Sequence, residues 1–399
     1  MKQLDNGKQI FIESEFYQLY KNKQHVCGDV FLQHKIKDED RIISVLSDGL
    51  GSGIKANVLA TLTATMAINF ISHSKGVRST AETIMKTLPV CKVRKISYST
   101  FTIVDIDKNG LTKIIEYDTP PFLLIRNNQL IQVKNTTIEL KYHKNKEDVL
   151  IYSEFTAQMG DRIIFFSDGV SQSGMGTKQM PLGWGNESIT CYVLNSIKNN
   201  NDISARDLAK EIAAKAHFND GYKPKDDITA GVIYFRKPRK LMLLTGPPFS
   251  PLKDAYIAKE IDSFDGKKVI CGGTTAKIVS RELNRAVRVD MSHMDDAVPP
   301  CCTMTGIDLI TEGTYTLGKV MEILENDSYN SYTEDNGVSK LCNFLLNSDI
   351  ICFVVGTRIN QAHQDPNIPI ELGIRRNLIK NITKLLEEKF LKEIVLQYL

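Results

Sequence analysis

No C-x-x-C pair occurs in the chain, and its eight cysteines, at positions 27, 91, 191, 271, 301, 302, 342 and 352, follow no regular spacing. That argues against a zinc ribbon or a disulfide framework, and in a chain of 399 residues it implies reduced thiols and a cytoplasmic setting. Charge of one sign is also missing. Fifty Lys and Arg stand against 47 Asp and Glu, a formal charge of +3, which gives no electrostatic reason to expect nucleic acid or a membrane surface. Residues 1–9 are polar, with Asp5 where a signal peptide would carry its apolar core. The longest uncharged stretch, residues 56–74, is interrupted by Thr61, Thr63, Thr65 and Asn69, so it reads as a buried helix rather than a membrane span. A Walker loop, a G-x-G-x-x-G fingerprint, internal repeats and low-complexity tracts are all absent. What remains is the composition of a soluble globular protein, 42% hydrophobic and 24% charged, long enough for two domains with separate cores.

One stretch stands out against this background. Residues 42–46 (IISVL) form a short apolar run of strand length that ends on Ser47-Asp48-Gly49. Gly49, Gly51 and Gly53 then force a tight loop, and from Lys55 the pattern changes to helical spacing, with Val58, Leu59, Leu62, Met66 and Phe70 on one face. The same phrase returns at residues 162–174 (RIIFFSDGVSQSG), where an apolar strand delivers Asp168. Asp226-Asp227 precedes the strand-like ITAGVIY, and Gly28-Asp29 opens VFL. An aspartate before glycine is ordinarily a solvated turn or a cap. Four strand-edge aspartates spread over some two hundred residues instead suggest one oxygen-rich cation site. Burying such charges without a counter-ion would be costly.

In this order and spacing, Gly28-Asp29, SDGLGSG, FFSDGVSQSG and DDITAGVI resemble the metal-dependent serine/threonine protein phosphatases (the PPM family), in particular their bacterial SpoIIE-type branch. The resemblance covers residues 10–236. It implies an α+β phosphatase domain with a central antiparallel β-sandwich flanked by helices, and two Mn²⁺ or Mg²⁺ ions. By the same resemblance Asp48 is the bridging carboxylate, Gly49 offers a carbonyl to the second ion, and Asp168 and Asp226 complete the first. Asp29 matches a position acting through metal-bound water, and Asp227 stands where many relatives carry Asn. Hard cations of this kind take oxygen ligands, and a pair of them polarises phosphate and lowers the pKa of a shared water. Asp48, Asp168 and Asp226 are the expected catalytic set, and a protein nucleophile is not required. Leu50 departs from the many eukaryotic members that carry a histidine there, and no arginine is placed as a phosphate clamp. The branch also implies regulation through the helix after SDGLGSG, with the glycine loop as hinge; tight packing of that helix is the simpler alternative.

The order of elements fits the resemblance. Period-two patterning over residues 98–140, with turns at Asn109-Gly110 and Asn127-Asn128, predicts an antiparallel meander. Residues 118–122 (DTPPF) read as an ordinary turn within it. Arg236-Lys237-Pro238-Arg239-Lys240 is a basic joint, placing a phosphatase-like domain at residues 1–236 and a second at 241–399. Strand and helix alternate in the second, which predicts a smaller α/β domain with a mainly parallel sheet. Within it, Cys271-Gly272-Gly273-Thr274-Thr275 reads as a tight strand-to-helix connection, with an anion site the less favoured reading. Gly356-Thr357-Arg358 sits where open sheets bind ligands. His293, Asp295, Asp296, Cys301 and Cys302 mix hard and soft groups without paired spacing, which argues against a metal site.

The function expected is hydrolysis of phosphoserine or phosphothreonine on a regulatory phosphoprotein, of the anti-sigma antagonist kind, in the cytoplasm. A homodimer is left open. The alternative is a phosphatase-like binding protein without turnover, controlled by its C-terminal domain. A third reading makes the C-terminal domain the main ligand-binding or enzymatic part, controlled by the first domain.

Overall fold

The structure, a computed structural model, describes residues 10–73, 77–87, 99–143, 146–289, 300–326, 336–358 and 368–399. The chain divides into two compact units, Ile10–Lys237 and Pro238–Leu399. Of the sequence features above, Cys91, His293, Asp295 and Asp296 lie outside the described residues.

The first unit runs β1 (Phe11–Leu19), β2 (Asp29–Ile36), β3 (Arg41–Gly49), α1 (Ile54–Ser72), α2 (Val77–Thr87), β4 (Ser99–Ile106), β5 (Leu111–Tyr117), β6 (Leu123–Arg126), β7 (Gln129–Ile131), β8 (Asn135–His143), β9 (Lys146–Thr156), β10 (Arg162–Phe166), α3 (Asp168–Ser171), α4 (Asn186–Asn199), α5 (Ala205–Asn219) and β11 (Ile228–Arg236). Two antiparallel sheets form, in strand orders β1-β11-β10-β6-β7 and β2-β3-β4-β5-β9-β8. Alternation along each strand sends one set of side chains between the sheets and the other outward. Phe31, Leu46, Val104 and Ile114 thus meet Ile163, Phe165, Ile233 and Phe235 in the sandwich interior. Ile43, Val45, Phe101 and Ile103 face α1, while Ile164, Phe166 and Val232 face α4 and α5. This is the expected antiparallel sandwich with helices on its outer faces.

Two local expectations are corrected. The meander is broken: β4 and β5 belong to one sheet, β6 and β7 to the other, and the Asp118–Pro121 turn carries the chain between them. Asp118 takes a positive φ of 51° there, and buried Glu116 accepts a 2.7 Å bond from the Phe122 N–H, pinning the turn. On α1 the buried face is Ala56, Ala60, Thr63, Ala64, Ala67 and Ile71, whereas Val58 is 58% and Leu62 43% exposed. Close approach explains the inversion, because the helix backbone lies so near β3 that a Cβ on Gly49 would sit 2.1 Å from the Ala56 carbonyl oxygen. Only small residues fit such a seam, so the larger ones turn outward. By length and composition α1 is apolar enough to cross a membrane; here its alanine face lies on the sheet.

The second unit runs β12 (Lys240–Thr245), α6 (Asp254–Ser263), β13 (Lys267–Cys271), α7 (Gly273–Leu283), β14 (Arg288–Val289), β15 (Cys302–Met304), β16 (Ile307–Thr311), α8 (Thr314–Glu325), α9 (Gly337–Leu346), β17 (Ile350–Val355), α10 (Ile368–Glu388) and β18 (Glu393–Tyr398). Its seven-stranded sheet has the order β14-β15-β16-β13-β12-β17-β18. The five strands from β16 to β18 are parallel, and β14 and β15 add an antiparallel edge. Both faces are covered: Leu243, Cys271 and Phe353 point at α8, α9 and α10, and Met242, Ile270 and Val354 at α6 and α7. That double burial is why β12 and β17 read as unbroken apolar runs rather than alternating ones. Helix α8 and strand β18 went unread in the sequence. The strand has only partly buried side chains, and the helix opens on Thr-Tyr-Thr, weak helix formers.

Candidate active site

Register brings the first two aspartates together. In the antiparallel pairing of β2 with β3, Asp29 lies directly opposite Asp48. Both share the parity of Phe31 and Leu46, so they stand on the inter-sheet side at the strand ends. Asp168 follows β10 and begins the short α3, and Asp226 lies just before β11, next to β10 in the other sheet. The serines preceding Asp48 and Asp168 lock these ends. Ser47 Oγ lies 2.6 Å from Ser99 Oγ, which in turn donates to the Asp48 carbonyl at 3.0 Å. Ser167 donates its N–H to the Thr229 carbonyl at 3.0 Å and accepts from the Thr229 N–H through Oγ at 3.1 Å.

The strand ends surround a pocket of about 740 Å³. Asp48, Gly49, Asp168 and Asp226 line it, together with Lys21, Leu50, Asp118 and Gln172. Burial pushes the Asp48 carboxyl well above the usual carboxylate range, and the charges of Asp29, Asp168 and Asp226 add to the push. Asp168 is raised for the same reasons, burial first and Asp226 next, with contact from Asp48 partly offsetting them. Asp29 is fully buried and is pushed up to about 7, again mainly by burial, against hydrogen bonds from Thr229 and Ser167. Mutually raised carboxylates around one opening are what a site for a positive charge looks like before that charge arrives.

The six sequence-predicted positions therefore separate. Asp48, Gly49, Asp168 and Asp226 share the pocket wall. Asp29 lies behind Asp48, its carboxylate accepting from Thr229 Oγ1 at 2.7 Å. Asp227 turns inward and accepts from the backbone N–H of Lys21 and of Gly28, each at 2.9 Å, so it staples the β1–β2 connection to the end of β11. Among the described residues no three His, Cys, Asp or Glu side chains close on a common point. The Asp226 carboxylate is paired with Lys21 Nζ at 3.3 Å. The donor set, all hard oxygens, fits Mg²⁺ or Mn²⁺.

Sequence reasoning missed Lys21, Asp118 and Gln172. Lys21 lies in a polar connection without any motif, and among the lining residues it is the one basic side chain. Gln172 Nε2 donates to Asp168 Oδ2 at 3.0 Å and holds its orientation; it stands in the quoted motif but carries no signal of its own. Asp118 belongs to the turn read as ordinary, yet it lines the pocket and its charge acts on Asp168.

Residues 38–236 match the family model described as Stage II sporulation protein E (SpoIIE). Among solved structures, the phosphatase domain of SpoIIE from Bacillus subtilis is 15% identical, covering 58% of this chain and 94% of its own, with a TM-score of 0.44. RsbX in complex with magnesium is 19% identical over 56% of this chain and 95% of its own, at 0.38. The catalytic domain of the serine/threonine protein phosphatase PstP, in complex with two manganese ions, is 15% identical over 57% and 100%, at 0.37. No curated protein matches the chain.

Proposed function

Since the chain belongs, through its first unit, to the SpoIIE-type branch of the PPM serine/threonine phosphatases, we propose that this unit hydrolyses phosphoserine or phosphothreonine on a regulatory protein in the cytoplasm. The observation that carries this reading is the convergence of Asp48, Asp168 and Asp226, from three separate strand ends, on one open pocket. A divalent cation bound by these oxygens neutralises phosphate charge and lowers the pKa of water enough to make it a nucleophile.

The protein's own groups do the rest. Asp48 and Asp168 supply adjacent carboxylates, and Asp29 behind Asp48 fixes its strand end. Gln172 restrains Asp168. Lys21, once Asp226 turns away from it, presents the pocket's ammonium to the phosphate oxygens and fills the place of the arginine that the sequence lacks. Leu50 lines the pocket but donates no proton, so the leaving alkoxide takes its proton from water. The pocket is open and polar, as an extended phosphopeptide requires.

The test is phosphate release from phosphoserine and phosphothreonine peptides by the full chain with Mn²⁺, beside Asp48→Asn/Asp168→Asn. The expected loss is at least about a hundredfold, the scale on which removal of one electrostatic stabiliser acts. Equal turnover by the two proteins would overturn the proposal.

A further inference from the structure

In the second unit the strand order reverses between β12 and β17, the place where open parallel sheets ordinarily hold ligands. That crevice is closed in this chain. Gly356 N donates to the Thr245 carbonyl at 2.8 Å, Arg358 N to that of Pro247 at 3.1 Å, and Thr357 N to that of Leu399 at 2.8 Å. A Cβ on Gly356 would lie 2.1 Å from the Pro247 oxygen, so the two loops are packed backbone on backbone.

The next strand end is different. β13 lies between β12 and β16, with Cys271 level with both Thr245 and Thr311. From β13 the chain enters α7, an 11-residue helix capped by Gly272 at φ 123°, with no side-chain cap and no acidic residue in its first turn. From β16 it enters α8, whose N-cap is also a glycine, Gly313. The two glycines lie side by side: a Cβ on Gly313 would be 3.5 Å from Gly272 Cα. Three residues past each cap stands a threonine, Thr275 and Thr316, each 1% exposed and each with a buried hydroxyl that has no hydrogen-bond partner among the described residues. Beyond Gly272 and its chain neighbours, Thr275 Oγ1 is the atom nearest to where a Cβ of Gly272 would be, at 3.7 Å, so it lies at the helix entrance. Gly273, at the first helical position, is exposed with open space where its side chain would be.

We propose that the N-terminus of α7, walled by that of α8, binds the phosphate group of a small phosphorylated ligand. The first-turn N–H groups carry the helix's partial positive charge and suit an anion with several acceptor oxygens. The Thr275 hydroxyl adds a donor that the fold otherwise leaves buried and unused, an arrangement native structures rarely keep without cause. The glycines remove the side chains that would keep an oxygen from the backbone. Helix α8 shows the same entrance filled from within, since Glu312 Oε2 accepts from Tyr315 N at 2.9 Å and Thr316 N at 3.3 Å. Arg375 brings positive charge one strand away, its Nη1 2.6 Å from the Cβ position of Gly246. This inference is independent of the first unit's chemistry.

Calorimetry on the full chain in EDTA, where the first unit's uncompensated carboxylates repel anions, tests it with two probes, inorganic phosphate and adenosine 5′-monophosphate. At least one is expected to bind with a sub-millimolar Kd. Tighter binding of the nucleotide identifies the phosphate as part of a larger ligand; equal binding identifies the free anion. Gly273→Asp places a carboxylate in the open space at the entrance and is expected to weaken binding at least tenfold without lowering Tm. Thr275→Val removes only the hydroxyl and is expected to weaken binding severalfold while Tm holds or rises. The proposal is overturned if neither probe binds, or if both variants bind as before.

Discussion

The two units use their strand ends in opposite ways. In the first, antiparallel strands stop on carboxylates, and Asp48, Asp168 and Asp226 repel one another around a pocket. In the second, parallel strands run into helices through glycine caps, Gly272 before α7 and Gly313 before α8, the α8 entrance being filled by Glu312. Charge preference therefore follows from what terminates the strand. A sandwich edge collects side chains, whereas a parallel sheet collects helix dipoles. Glycine serves both, but differently: Gly49 is needed because α1 presses on it, and Gly273 only leaves an entrance open.

That last contrast gives the largest expected effect. Gly49→Ala forces a methyl against the Ala56 carbonyl and should destabilise the first unit by about 1–3 kcal/mol, the usual cost of overpacking, read as a lowered Tm. Gly273→Asp meets nothing and should cost no stability. A tolerated Gly49→Ala would erase the distinction. Next in size is Lys21→Met. Removing the ammonium that now pairs with Asp226 should raise Mn²⁺ affinity by roughly fivefold, the worth of a half-exposed ion pair, measured by calorimetry. Weaker binding would mean that Lys21 supports the cation site rather than competing for it.

The smallest effect concerns Glu116 beneath the Asp118 turn. Burial pushes its carboxyl up to about 7 from an ordinary 4.5, with the Phe122 N–H pulling partly the other way. Because the folded state holds this proton more tightly than the unfolded chain, its contribution is fully present below about pH 4.5. It is lost as pH rises through 7. Asp29 acts in the same direction, so the metal-free protein should melt lower at pH 7.5 than at pH 5. Glu116→Gln should flatten part of that slope in a Tm series and leave the Asp29 part in place. An unchanged slope would remove Glu116 from the account.

Much of the first unit was legible from its residues. Ser47-Asp48-Gly49 and Ser167-Asp168-Gly169 announced strand ends because a buried apolar run must stop where a charge begins. The parity of β2 and β3 then sends Asp29 and Asp48 to the same side. Asp227 was not legible, because its neighbour Asp226 has identical chemistry and only the course of the backbone before β11 turns one inward and the other toward the pocket. The apolar face of α1 was misread for a related reason. Helical spacing tells which residues share a face, but the distance to the sheet selects which face is buried, and a close seam chose alanines over Val58 and Leu62.

By itself, then, the sequence determined most of the elements and the kinds of atom offered at each strand end, since these follow from local periodicity and from the cost of burying charge. Only the tertiary structure decided which of those atoms meet. It set Lys21 against Asp226, closed the crevice between β12 and β17, and placed Gly272 beside Gly313. Such meetings depend on strand register and helix approach, which arise from packing between residues far apart along the chain.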